Sequence, residues 1–269
     1  MELKFSIRES QAPGETISEK MENLAELGFS GIEITSTPAW DVAGEVQQAA
    51  ADTGIVPNIW SAEYLNLLDP RPAERERAVE SMRNALTVCG EAGGIGVICV
   101  PLIWTKMRNL PRIPDLSPLK STAELEFELL VAELSELADH GQEVGADVII
   151  EPLNRYEMWW PNTLQDGVEI CEAVGKDGVS IMADFFHMNI EEAHIGESIR
   201  AAGPYIKNVH LADSQRKIPG FGHTDFTPGL KALDEIGYDC YLGFEAQIPG
   251  DPMEELPKSM DYIRRAAAE

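Results

Sequence analysis

Four residues in this chain have the types and spacing of a metal site. Glu151, Asp184, His210 and Glu245 each follow a short β-rich run, namely Asp147–Ile150, Val179–Ala183, Tyr205–Val209 and Tyr241–Phe244. The gaps between them are 33, 26 and 35 residues. A (β/α)8 barrel spends about 30 residues on each βα unit and puts its chemistry at the C-terminal ends of its strands. Taken singly, each residue has a plainer reading as a loop cap or a satisfied polar group. Taken together, in register on four consecutive strands, they read as one ligand set. Three carboxylates and one imidazole form a hard, oxygen-rich site that suits Mn²⁺ or Mg²⁺, with Co²⁺ acceptable and Zn²⁺ less favoured. An ion held by neighbouring carbonyl and hydroxyl oxygens of a sugar acidifies the adjacent C–H and stabilises an enediolate. One glutamate can then remove that proton and a second, on the opposite face, can return one.

Further polar residues follow the same strands. Glu157, His187 and Arg216 lie shortly beyond the ligand positions. Arg216 offers a fixed fork of donors for a substrate hydroxyl or an enolate oxygen, and His187 could orient Asp184 or touch substrate. Asn154 and Arg155 read as scaffold. Trp104, Trp159 and Trp160 are candidates for the floor of a sugar pocket, and His223, beside Gly222, for a residue that closes over the site. His140 and His194 stand among polar helical neighbours and receive no role.

The elements that must position these groups alternate strictly. Strands are expected at 3–7, 31–34, 55–60, 96–100, 147–150, 179–183, 205–210 and 241–245. Helices are expected at 15–27, 41–53, 72–91, 121–144, 162–174, 189–202, 226–236 and from 252. Ser121-Thr-Ala-Glu124 is a capping-box pattern. Gly96-Val-Ile-Cys-Val100 is an apolar run of the kind found in a strand covered on both faces. Residues 101–117, with Pro101, Pro111 and Pro114, read as a long loop placed where lids and substrate loops occur. Glu26-Leu-Gly-Phe-Ser-Gly-Ile-Glu-Ile34 is echoed by Glu235-Ile-Gly-Tyr-Asp-Cys-Tyr-Leu-Gly-Phe-Glu245, as expected of a repeating αβ build. The fold class is therefore α/β, a single (β/α)8 TIM barrel in one domain over 1–269. A doubly wound sheet explains the alternation equally well, but not four ligands converging from strands five to eight.

Composition narrows the partners. The 269 residues carry 46 acidic and 21 basic side chains, a net charge of −25. Such a surface repels nucleic acid and anionic membranes, and favours solubility, including at high salt. No apolar run approaches a membrane span. No signal peptide is evident, which makes the cytoplasm the expected location. Cys89, Cys99, Cys171 and Cys240 are scattered in apolar contexts and read as reduced, buried thiols.

The segments Glu151-Pro-Leu-Asn-Arg-Tyr-Glu157, Asp184-Phe-Phe-His-Met-Asn-Ile-Glu-Glu192, His210-Leu-Ala-Asp-Ser-Gln-Arg-Lys-Ile-Pro-Gly220 and Glu245 resemble the xylose isomerase-like barrel superfamily. Within it they are most similar to the D-tagatose/D-psicose 3-epimerase group. The resemblance is dense from about 145 to 246 and architectural before that. It implies that Glu151, Asp184, His210 and Glu245 hold the metal and that Glu151 and Glu245 are the acid/base pair. It further implies that Glu157, His187 and Arg216 contact the O1–O3 end of a sugar and that the chain forms a dimer or tetramer. The activity implied is epimerisation of a ketose at C3, or aldose–ketose isomerisation. No glycine-rich phosphate cradle is evident. Two other classes remain open on the residues alone: a lyase or dehydratase of a keto sugar or inositol using the same enolate, and a sugar-binding protein without turnover. A DNA-repair endonuclease of the same superfamily would need a basic groove and many histidines, and five histidines with a charge of −25 argue against it.

Overall fold

Eight strands alternate with helices along the chain. A computed structural model describes residues 2–36 and 38–269. Met1 and Thr37, inside the expected 1–269 domain, lie outside the described residues. The strands are β1 Lys4–Ile7, β2 Gly31–Ile34, β3 Val56–Ser61, β4 Gly96–Cys99, β5 Asp147–Ile150, β6 Val179–Asp184, β7 Ile206–Leu211 and β8 Tyr241–Phe244. All are parallel, in the order β1-β8-β7-β6-β5-β4-β3-β2. Among the described residues the remaining seam, between β1 and β2, is joined by a bridge between Arg8 and Glu33 and by the Ser30 N–H bond to the Phe5 carbonyl at 2.8 Å and the Glu9 N–H bond to the Glu33 carbonyl at 2.9 Å. The fold is a (β/α)8 TIM barrel.

The strands are short apolar runs because both of their faces are covered. Every residue of β2, β4 and β6 is buried, as parallel sheets wrapped by helices require. The outer layer comprises α1 Ile17–Leu27, α2 Ala39–Thr53, α3 Pro72–Glu91, α4 Ile103–Met107, α5 Thr122–Val144, α6 Leu164–Val174, α7 Phe185–Glu191, α8 Ile195–Ala202, α9 Thr227–Glu235 and α10 Pro252–Ala267. Capping boxes start α1, α5 and α6, through Thr16/Glu19, Ser121/Glu124 and Thr163/Asp166. Each such cap contributes about 1 kcal/mol.

Two expected elements differ from those observed. The helix expected at 189–202 is two helices, α7 and α8. Asp184 starts α7 early by accepting the N–H groups of Phe186 and His187. Glu192 then turns extended, with φ −92° and ψ 135°, and its carboxylate accepts from the Leu164 N–H and the Ser198 hydroxyl. A side chain that ties down two neighbouring segments breaks a helix that periodicity alone would continue. The loop expected at 101–117 contains the short helix α4.

The barrel interior is unusually polar beneath its C-terminal rim. Ser6, Glu33, Asn58 and Asn208 are fully buried there, where layers of branched apolar side chains are the rule. Asn208 donates to Glu33 at 3.1 Å. Gly243 makes room for this group, since a Cβ on it would lie 2.4 Å from Glu33 Oε1.

One pH effect arises in the scaffold. Glu133 of α5 faces Arg75 of α3 at 3.4 Å. Burial pushes its carboxyl up to about 8, against the opposing pull of Arg75. The folded state therefore holds this proton more tightly than the unfolded chain, whose carboxyl has the ordinary value of 4.5. The associated stability is complete below pH 4.5 and is lost as pH rises through about 8. Glu133→Gln is expected to flatten the fall of Tm between pH 5 and pH 9. An unchanged slope would exclude Glu133 as its source.

Candidate metal centre and active site

Each ligand candidate stands where a strand meets its loop. Asp184 and His210 lie within β6 and β7 and are paired in register, while Glu151 and Glu245 are the first residues after β5 and β8. The four converge on the barrel axis, with one ligand atom from each within 4.8 Å of the others. His210 Nδ1 is 2.9 Å from Glu245 Oε2, 3.3 Å from Glu151 Oε1 and 3.4 Å from Asp184 Oδ2.

The partner of the other imidazole nitrogen fixes which atom of His210 faces this cluster. His210 Nε2 is 3.0 Å from Glu33 Oε2. A carboxylate only accepts, so Nε2 carries a proton. Nδ1 then points at three carboxylates and makes no hydrogen bond, and the buried Glu151 Oε1 also has no partner. Buried polar atoms left in this state call for an explanation such as a bound ion. Burial opposes charge on His210, but Glu33 and Glu245 outweigh it and raise its pKa well above the ordinary value, so without an ion a second proton on Nδ1 balances the three carboxylates in its place. The same field favours a cation at this point. The donor set fits a divalent ion, and the cluster can hold one. Titrating the metal-free protein with Mn²⁺ is expected to raise its stability by about 2.7 kcal/mol at a hundredfold excess over Kd, read as a Tm that climbs with ion concentration. A Tm indifferent to every divalent ion would exclude a metal centre.

Arginines hold the cluster from two sides. Arg216 donates to Asp184 Oδ2 at 2.9 Å and also pairs with Glu245, while its guanidinium stacks on Phe186 at 4.6 Å. Arg8 pairs with Glu245 from β1, and its Nε lies 3.8 Å from Glu33. Burial raises the Glu245 carboxyl, but Arg8, Arg216 and His210 outweigh it and bring it down to about 2. Asp184 is held well below its usual value against the same penalty, chiefly by Arg216 and His187. Both carboxylates are therefore charged at neutral pH.

The expected substrate contacts face one cavity of about 240 Å³. Its walls include the polar Arg8, Glu151, Glu157, His187, Arg216 and Glu245 and the apolar Leu65, Ile98, Ile103 and Trp104. The Asn154 backbone N–H donates to His187 Nδ1 at 3.1 Å. His187 therefore carries its proton on Nε2, which is 3.8 Å from Asp184 Oδ2. Asn154 Nδ2 also bonds Glu157 at 2.8 Å, so this residue orders the pocket wall as well as the scaffold. Arg155 pairs with Glu191 at the surface.

Not every candidate comes to the site. Trp104 lines the cavity, but Trp159 and Trp160 line a separate outer groove with Phe127 and Arg112. His223 is exposed and belongs to an outer cleft with His194 and Asp225. His140 bonds Thr87 at 2.9 Å. Arg8 and Glu33 went unrecognised in the sequence. Glu33 had one signal, a carboxylate inside the otherwise apolar Gly31-Ile-Glu-Ile34.

A profile described as a xylose isomerase-like TIM barrel matches residues 21–266. The chain belongs to this family. It is 29% identical over 252 residues to the 3-dehydro-D-guloside 4-epimerase of Escherichia coli (strain K12), covering 93% of this chain and 95% of that protein. It is 32% identical over 231 residues to the D-psicose 3-epimerase of Ruminiclostridium cellulolyticum, covering 81% and 74%. Among solved structures, 3-keto-D-glucoside 4-epimerase from E. coli superposes with a TM-score of 0.86 at 27% identity, over 98% of this chain and 100% of that one. These members of the xylose isomerase-like family are sugar epimerases, and no helix among the described residues is long and apolar enough to cross a membrane.

Proposed function

We propose that this protein is a divalent-metal-dependent sugar epimerase that moves a proton at the carbon beside a keto group, with C3 of a ketose as the reacting position. The observation that carries the reading is the unpartnered His210 Nδ1 facing Glu151, Asp184 and Glu245 at the floor of a cavity lined by both glutamates. Glu151, Asp184, His210 and Glu245 would hold Mn²⁺ or Mg²⁺, with Co²⁺ a substitute. When bound, the ion supplies Lewis acidity to the substrate's carbonyl and neighbouring hydroxyl oxygens.

The remaining work belongs to the side chains. Glu151 and Glu245, entering from β5 and β8, are the pair that removes a proton from one face of the carbon and returns one to the other. The arginines keep Glu245 ionised and so free to accept a proton, while lowering its basicity. Arg216 and the protonated Nε2 of His187 donate to the oxygens on which negative charge develops, and Glu157 accepts from a substrate hydroxyl. The apolar lining residues Leu65, Ile103 and Trp104 help exclude water from the cavity.

A second reading, epimerisation of a keto-glycoside at C4, is favoured by the full-length match to the E. coli 4-epimerase, 95% against 74% for the D-psicose enzyme. One experiment separates the two. Mn²⁺-loaded protein is incubated in D₂O with free ketoses and with 3-keto-glycosides and followed by NMR. Deuterium at C3 of a ketose, with its epimer, supports the first reading, and deuterium at C4 of a keto-glycoside supports the second. An unsaturated carbonyl product absorbing in the ultraviolet would overturn both in favour of elimination. The exposed Met107, Leu116 and Leu119 offer apolar surface for self-association as a homo-oligomer, which light scattering tests.

A further inference from the structure

Asp213 is a buried carboxylate three residues beyond His210, and it does not touch the ligand cluster. Its two oxygens accept four backbone N–H groups. Ser214 donates at 2.8 Å and Thr224 at 3.0 Å to Oδ1, while Gly220 donates at 3.1 Å and Gly222 at 2.7 Å to Oδ2. One side chain thus gathers both ends of the 213–224 loop. Gly222 is shaped to this contact, since a Cβ there would lie 2.2 Å from Asp213 Oδ1 and 2.1 Å from Gln215 Oε1.

The loop so gathered carries Arg216 in a left-handed backbone conformation, φ 59°, which is uncommon for a residue with a side chain. Its neighbours hold it there. The Arg216 N–H bonds the Asp213 carbonyl at 2.8 Å, and the Asp213 N–H bonds the Lys217 carbonyl at 2.7 Å. The Arg216 carbonyl accepts from Gln247 at 2.8 Å, two residues past Glu245. A strained backbone persists only where its surroundings over-determine it. Here the result is a guanidinium delivered between Asp184 and Glu245.

We propose that Asp213 is a positioning residue that acts through Arg216: its four-bond clamp fixes the loop geometry that aims Arg216 into the catalytic cavity. The inference rests on the functional reading above for its catalytic consequence, but not for its geometry. Asparagine at this position would keep one accepting oxygen and turn an N–H₂ group against two backbone donors, releasing part of the clamp.

The test is a double-mutant cycle on the Mn²⁺-loaded enzyme, using the sugar identified by deuterium exchange. Measured at saturating Mn²⁺, Asp213→Asn is expected to lower kcat/KM by 10- to 100-fold. In an Arg216→Ala background, Asp213→Asn should cost less than twofold more, because its route of action is already gone. Gly222→Ala should reproduce the signature of Asp213→Asn and replaces it if that variant does not fold. A full multiplicative loss in the cycle at saturating Mn²⁺ would overturn the proposal. A second readout is independent of turnover. The Arg216 side-chain Nε–H NMR resonance should be sharp in wild type and broadened by Asp213→Asn, and an unchanged resonance would also overturn it. A wild-type protein inactive on every sugar would defeat the functional reading alone, since the NMR comparison would still decide the positioning claim.

Discussion

Glu245→Gln is expected to reduce proton exchange into the sugar by about 10²–10⁴-fold, the usual contribution of a positioned general base, or roughly 2.7–5.4 kcal/mol in the barrier. Glutamine keeps the shape of the side chain and an oxygen facing the cluster, but it cannot accept a proton at neutral pH. Glu245 is the carboxylate that Arg8 and Arg216 both engage. The substitution therefore also frees two guanidinium groups at the cavity wall, and sugar binding should survive it. Because Glu245 is also a proposed ligand, the measurement is made at saturating Mn²⁺, with the metal Kd determined separately by calorimetry. Exchange that persists near the wild-type rate at full metal occupancy would rule out Glu245 as one of two bases. The remaining assignment would then be a single-base mechanism on Glu151, which returns the proton to the face it left and cannot invert the carbon.

Glu33→Gln should weaken Mn²⁺ binding by 10- to 100-fold, about 1.4–2.8 kcal/mol, although Glu33 touches no ion in the proposed arrangement. Its carboxylate fixes the proton of His210 on Nε2 and so directs the Nδ1 lone pair at the cluster. It also raises the basicity of the ring by placing a negative charge 3.0 Å away. The amide retains an acceptor for Nε2–H, so the orientation largely survives and the loss measures the missing charge. Glu33→Ala removes both and should fall further, with an added stability cost because Asn208 loses its acceptor. Titration calorimetry against wild type decides the matter. An unchanged Kd in both variants would mean that packing alone holds His210. The effect on turnover should vanish when Mn²⁺ is raised to saturation, which separates this residue from Glu245.

These two residues mark the division between what was legible in the chain and what was not. The ligand types are local facts. Glu151, Asp184, His210 and Glu245 could be picked out as candidates because each follows its own short apolar run, and such a run is short-range information. The alternation of strands and helices is equally local, and its length per unit allows a barrel. The break between α7 and α8 was missed because periodicity continues through it. The break is set by the contacts of Glu192 with Leu164 and Ser198, the first of them 28 residues away. Trp159 and Trp160 were indistinguishable from Trp104 as aromatic residues near a rim, and only the fold turns them to the outer groove.

The sequence by itself determined the strand-by-strand order of the candidate ligands and the repeating unit that spaces them. Closure of the barrel decided the rest, by bringing the first two strands beside the last two. Glu33 meets His210 across 177 residues of chain, and Arg8 meets Glu245 because β1 pairs with β8. Period and composition report which face of a strand is buried, but not which strand becomes its neighbour when the sheet curls shut. A buried glutamate in β2 and an arginine after β1 acquire meaning only there, where the low dielectric leaves each charge no choice but to find an opposite one.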